Sequence, residues 1–447
     1  MENAKSISLE EEESFRSDYL KSEKNSVVRH SLALNEFNQS FCSNDSASDN
    51  QFTFSVEHKT LPVTNQKKSG RCWIFSASNI LREIIAKKAG IESMFEISQN
   101  FIAFYDKLEK SNFVMESVID MIDKEPSDRK LMFVLQNGVG DGGQWDMYVN
   151  LVKKYGVCPK ADMVETFQSS NTAESNSLLN SSLKKFAFEA QKLYKGGKSH
   201  SDIEKLKGEY LEKIYILLTD CYGVPPKSFD FEYKDSRGIY HIERMLNPKS
   251  FFDKYIGSAI DEYVSVINAP TKDKPYDKTY TIEYLGNVVG GKRVTHLNLR
   301  LARFKELIVS QLKGGDLVWF GADVSKYRAK QEGVWSDKSF DFKTPFGLDH
   351  RFEKAGMLDY FSSAMNHAMV LTGFDEKDGK IIRWKIENSW GEENGNKGFY
   401  IMSDSFFDSY VYQAAILRKY LSEEEKSALT AEPKLLEPWD PFGTLAD

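Results

Sequence analysis

Cysteine is scarce: Cys42, Cys72, Cys158 and Cys221 are the only four in 447 residues. No two are spaced C-x-x-C, so the signature of a zinc site or a thioredoxin-type redox pair is missing. Four are too few to staple a chain of this length as a disulfide scaffold. No run approaches about 20 apolar residues, so no membrane-spanning helix is expected. A secretory signal peptide begins basic and continues apolar; here Met1–Lys5 leads into the acidic run Glu10–Glu13. Positive charge is in deficit too. Lys and Arg number 59 against 66 Asp and Glu, a net charge of −7. That argues against a nucleic-acid partner, because phosphate binding draws on a basic surface. What is present is 13% aromatic and 28% charged residues, which excludes a collagen-like or largely disordered chain. At about 150 residues per domain the length gives roughly three domain-sized units, enough to bury a real core. The expectation is a reduced, cytoplasmic protein in which one well-placed cysteine is chemical.

Hydrophobic spacing organises the chain. A charged helical stretch opens residues 1–60 and passes into a Ser/Asn/Asp-rich loop at 43–50. Ile74, Ala77, Leu81, Ile84 and Ile85 recur at helical spacing and predict a helix from about Cys72 to Lys88, stopped by Gly90. Ser98 is placed to cap a second helix. The loop Asn137–Gly143 opens a third, from about Gln144 to Tyr155. Residues 160–300 read as polar and helix-rich, with Ser201 and Glu204 as a capping box before a helix to about Leu218. After 310, short runs at Asp316–Val324, His367–Phe374, Lys380–Glu387 and Gly398–Met402 read as strands. Helices first and strands last give an α+β layout. Gly286–Lys292 matches G-x4-G-K, but Arg293 stands where a phosphate loop needs Ser or Thr. The flanking runs predict a β-hairpin instead.

Cys72 is predicted at a helix start, where unpaired N–H groups stabilise a thiolate. A thiolate needs an imidazole to hold the ion pair and later protonate the leaving amine. Of seven histidines, His367 is best placed, at the start of an apolar strand. Asn388 ends the next strand, 21 residues on, and would reach His367 if the two strands pair. Trp390 would then cover that hydrogen bond from water. Gln66, six residues before Cys72, would supply a side-chain amide to an oxyanion hole with the Cys72 N–H. Gly142 and Gly143 would offer backbone groups to an extended peptide. Each signal also has a plain structural reading: an inert buried cysteine, a core histidine, a turn with a core tryptophan, a solvated glutamine, a helix entry. No cofactor or metal-ligand set is read from the sequence.

Taken together, in the order Gln, Cys, Gly-Gly, His, Asn-Ser-Trp-Gly, these residues resemble the papain-like cysteine peptidases. Ser69 replaces the first cysteine of the papain-type signature and Arg71 its small residue, and His367 lies 295 residues after Cys72 instead of about 130–150. Gly70–Phe75, Asp141–Met147, Asn366–Met369 and Glu437–Gly443 resemble one branch, the bleomycin hydrolase/aminopeptidase C family. The resemblance implies a papain-like α+β core with large helix-rich insertions, in a homohexameric barrel with internal active sites. It divides the chain into a lead-in (1–60), a helical subdomain (61–160), an oligomerisation insertion (161–305), a β subdomain (306–425) and a C-terminal tail (426–447). It makes Cys72 the nucleophile, His367 the acid–base, Asn388 its orienting partner and Gln66 an oxyanion donor. Gly142, Gly143, Asn366 and Trp390 would contact substrate. The tail would lie in the cleft, with Ala446 or Asp447 supplying the carboxylate that receives the substrate's free ammonium and converts an endopeptidase cleft into an aminopeptidase. An endopeptidase with a mobile tail and a catalytically dead binding scaffold are the competing readings. A local basic patch around Lys67, Lys68 and Arg71 would be compatible with a nucleic-acid contact, which the net charge of −7 argues against.

Overall fold

The Cys72–Ala89 helix is the structural axis of the site. Its length follows from the apolar spacing, and Gly90, at φ +69° with its N–H on the Ala86 carbonyl, ends it. The computed structural model describes residues 4–43, 51–329 and 332–444. Ser98 caps the next helix, Gln99–Asp120, by accepting from the Phe101 N–H. Trp145–Tyr155 follows, with Gln144 as its N-cap residue and Gly156 at its end. These helices share one buried apolar core with Trp73, Trp145 and Trp319.

A twelve-stranded mixed sheet packs against this layer. Its centre is antiparallel, running Val411–Leu417, Val318–Ala322, His367–Lys377, Lys380–Glu387 and Phe399–Ser403. The register sets His367 opposite Ala322 and Val370 opposite Glu387. Both neighbours of the His367 strand thus end near its start, and that is where the site forms. The second buried cluster, with Trp335, Trp384 and Phe407, fills the far side of the sheet.

Two expectations are revised. The capping box of the long His200–Tyr222 helix is Ser199 with Asp202, not Ser201 with Glu204. An aspartate at the third helical position reaches the Ser199 backbone just as a glutamate would, so the helix begins two residues earlier. The stretch read as helix-rich does contain Ala173–Lys195 and His200–Tyr222, but also supplies strands Tyr263–Ile267, Lys278–Ile282 and Thr295–Asn298 to the large sheet. Lys278–Ile282 and Thr295–Asn298 are the runs expected to flank a hairpin, whereas Tyr263–Ile267, five residues buried throughout, shows no alternation. The G-x4-G-K segment does join an antiparallel pair, with Lys278 opposite Asn298. Among the described residues no helix is long and apolar enough to cross a membrane.

Candidate active site

Cys72 is the first residue of its helix, and no side chain caps that end. The N–H groups of Ile74 and Phe75 turn back onto the Arg71 carbonyl, and the positive end of the helix dipole faces whatever charge develops on the thiol. Cys72 is fully buried. Its Sγ accepts the Ala368 N–H at 3.4 Å, so the thiol touches the strand that His367 begins.

The imidazole is fixed on its other side. His367 Nε2 and Asn388 Oδ1 are 2.9 Å apart. The Ser389 N–H donates to that same oxygen at 2.8 Å. A backbone N–H only donates, so the Asn388 atom there must be the amide oxygen. His367 therefore donates through Nε2, which leaves Nδ1 with its lone pair. The Trp390 ring stacks on the imidazole at 4.7 Å and shields this bond from water. Burial pushes the His367 pKa down to about 4; the Asn388 bond opposes this and the Arg328 charge adds to it. Burial thus disfavours the charged ring.

Gln66 is held at both ends of its amide. Oε1 accepts from the Ser389 hydroxyl at 2.6 Å, and Nε2 donates to the Ser69 carbonyl at 2.6 Å. A glutamine amide carries two N–H bonds, so one remains beyond the Ser69 contact. Gln66, Asn366, His367 and Trp390 line one open cleft of about 890 Å³. Asn366 and Gly142 also line an adjoining cavity of about 810 Å³, together with Asp323, Phe361, Trp439 and Thr444. The Asn366 amide is occupied, accepting the Val324 N–H and donating to Asp323. Gly143 is pressed so close to Trp73 that a Cβ would sit 2.4 Å from its ring. The chain reaches this region at Thr444, whose carbonyl accepts from Gln144 Nε2 at 2.7 Å. Ala446 and Asp447 lie outside the described residues.

Several supporting residues carry no signature in the sequence. Arg82, on the Cys72 helix, pairs with Glu387 at 2.8 Å, both fully buried. Arg82 also donates to the Leu61 and Pro62 carbonyls, and Asn79 links Glu387 to Thr64. The segment leading to Gln66, the Cys72 helix and the residue before Asn388 thus meet on one ion pair. Lys107 and Lys110 donate to the carbonyls of Gly140 and Gly142 at 2.8 and 2.6 Å and hold the glycine loop. Burial alone would raise the Asp141 carboxyl, but Lys107, Thr172 and Asn176 outweigh it and hold it well below its usual range. Arg71 does not belong to a surface patch. It is buried, and its guanidinium forks onto Glu165 at 3.1 and 2.8 Å; only Lys67 and Lys68 of that trio are exposed.

The profile of the Peptidase C1-like family matches residues 6–443. The chain belongs to that family. It is 46% identical over 446 residues to aminopeptidase C of Lactobacillus delbrueckii subsp. lactis, covering 99% of each chain. Human bleomycin hydrolase is 37% identical over 404 residues, 89% of each. The crystal structure of PepW from Lactobacillus rhamnosis HN001 superposes with a TM-score of 0.97 at 44% identity, covering 100% of both chains. The α+β fold of this Peptidase C1-like chain is therefore that of a solved relative from end to end.

Proposed function

We propose that this chain is a cysteine aminopeptidase in which Cys72 is the nucleophile, His367 the acid–base, Asn388 its orienting partner and Gln66 an oxyanion donor. The observation that carries this reading is the His367–Asn388 bond beside a thiol on the adjoining Ala368 N–H. Nδ1 of His367 takes the Cys72 proton, and the resulting thiolate and imidazolium stabilise one another while the helix start supports the anion. The sulfur then attacks the first peptide carbonyl. Gln66 Nε2 and the Cys72 N–H receive the carbonyl oxygen as it becomes negative. His367 returns the proton to the leaving amine, giving a Cys72 thioester and the shortened peptide. Water, activated by His367, then releases the N-terminal amino acid. The same steps hydrolyse an amide whose neighbouring carbon bears a free amine, as bleomycin-type amide hydrolysis requires.

Gly142 and Gly143 pair with the substrate backbone, Asn366 walls the cleft, and Trp390 lies under the leaving portion. Ala446 or Asp447 receives the substrate ammonium. The anchoring of the Thr444 carbonyl on Gln144, in the cavity that Gly142 also lines and Trp390 does not, supports this. The five-part division at residues 60, 160, 305 and 425, a cytoplasmic setting and a homohexamer complete the reading. Light scattering at micromolar concentration tests the last; a clean monomer contradicts it.

Acid quenching during turnover of an aminoacyl ester, followed by peptide mapping, tests the chemistry. The acyl mass should sit on the peptide containing Cys72. Acyl mass on another residue, or none during measurable turnover, contradicts the assignment. Asn388→Ala should retain the fold and lower kcat by about 10- to 100-fold, as loss of a residue orienting a catalytic histidine does. An unchanged kcat removes Asn388 from the mechanism.

A further inference from the structure

Arg328 stands at the Trp390 end of the cleft. It opens the short strand Arg328–Ala329, paired with Val334–Trp335. Its guanidinium lies 5.2 Å over the Trp390 ring, whose ring in turn stacks on His367. Arg328 is half-buried, and among the described residues it forms no ion pair with Asp or Glu. Lys67 and Lys68 line the same cleft, exposed and likewise without an ion pair among the described residues. The acid on that lining is Asp141, whose carboxylate already serves Lys107, Asn176 and the Gly70 N–H. The cleft therefore presents three cations to one committed carboxylate. Such a cleft focuses its field on an anionic ligand.

The position of the charge defines which part of a peptide meets it. Gly142 and Thr444 line the adjoining cavity, which contains neither Trp390 nor Arg328. Gln66, His367, Trp390 and Arg328 share the other cleft. If His367 protonates the leaving amine, the residue bearing that amine passes over Trp390 towards Arg328.

We propose that Arg328 is a specificity-determining residue that binds a carboxylate on the leaving portion of the substrate. This rests on the aminopeptidase reading. The carboxylate has two sources: an acidic side chain at the second position of the peptide, or the α-carboxylate of a dipeptide. A planar guanidinium braced on an indole suits either, because it offers a fork of donors in a fixed plane. Lys67 and Lys68 add attraction at longer range and no fixed geometry.

Two matched pairs of peptides separate the sources. Ala-Glu-Leu-amide against Ala-Gln-Leu-amide reads the side chain. Ala-Leu against Ala-Leu-amide reads the α-carboxylate. Each pair is measured as kcat/KM with the full chain and as Kd with Cys72→Ala protein, for wild-type Arg328, Arg328→Gln and Arg328→Lys. The charged member of at least one pair should be favoured about tenfold, the usual worth of a hydrogen bond to a charged group. Arg328→Gln should bring that ratio close to one, and Arg328→Lys should restore part of it. A ratio near one in the wild type, or a ratio that survives Arg328→Gln, overturns the proposal. The Kd arm keeps the two readings distinct: a carboxylate preference in Cys72→Ala binding, with no turnover of any of the peptides by the chain that retains Cys72, supports the subsite while contradicting the peptidase assignment.

Discussion

Cys72→Ala should abolish hydrolysis of an aminoacyl reporter, by on the order of 10⁴-fold or more, while leaving the fold intact. Removing the nucleophile of a concerted set costs nearly all of the catalysis that the set provides. The substitution exchanges a buried thiol for a methyl group of smaller volume, so the stability loss should be about 1 kcal/mol. A thermal melt alongside the kinetic assay separates the two effects. The other cysteines are a natural control. Burial pushes the Cys158 thiol far above its ordinary range and raises that of Cys221 as well. Neither sits at a helix start, and Cys221→Ser should leave turnover within about twofold, as surface changes away from a site do. Activity surviving in Cys72→Ala would move the chemistry elsewhere.

The second large effect concerns stability. Arg82→Met should destabilise the protein by about 3–5 kcal/mol near pH 8, because it leaves the Glu387 carboxylate buried without its cation. The loss should depend on pH. Burial raises the Glu387 pKa to about 7, with Arg82 opposing that rise. Its pKa in the unfolded chain is the ordinary, lower one, so the folded state binds this proton more tightly. The stabilisation linked to this group is complete below the unfolded value and is lost as pH rises through about 7. Without Arg82 the folded pKa climbs further, and the variant should be less impaired at pH 5 than at pH 8. The double variant Arg82→Met/Glu387→Met should regain most of the stability, since two apolar side chains of similar volume replace both charges. Urea unfolding at the two pH values checks this. An equal loss at both, or a double variant worse than the single one, contradicts it.

The contrast between these two predictions explains what could be read from the sequence. Cys72, Gln66 and Asn388 sit in short local patterns whose chemistry is set within a few residues. His367 opens a strand whose apolar pattern is evident. The Arg82–Glu387 pair joins residues 305 apart, and Arg82 reads locally as one of several charges on a helix. Only the packing of that helix on the sheet turns it inward. Arg71 is a similar case, since its burial depends on Glu165 reaching it from another segment. The pair Lys278–Ile282 and Thr295–Asn298 is legible as the hairpin flanking Gly286–Lys292, whereas Tyr263–Ile267 is short, buried throughout and stabilised by neighbours far along the chain, so it carries no local pattern. Arg328 gave no signal at all, because its meaning comes from Trp390 and the cleft.

The claim that this papain-like cleft works from the free N-terminus has the most direct test. Hydrolysis of an aminoacyl reporter with a free amine would be compared with that of its N-acetylated form. Both would be run on the full chain and on a variant lacking the last three residues. The account predicts turnover of the free-amine reporter alone by the full chain, and a shift towards the acetylated reporter after truncation. Equal turnover of both reporters by the full chain would contradict it.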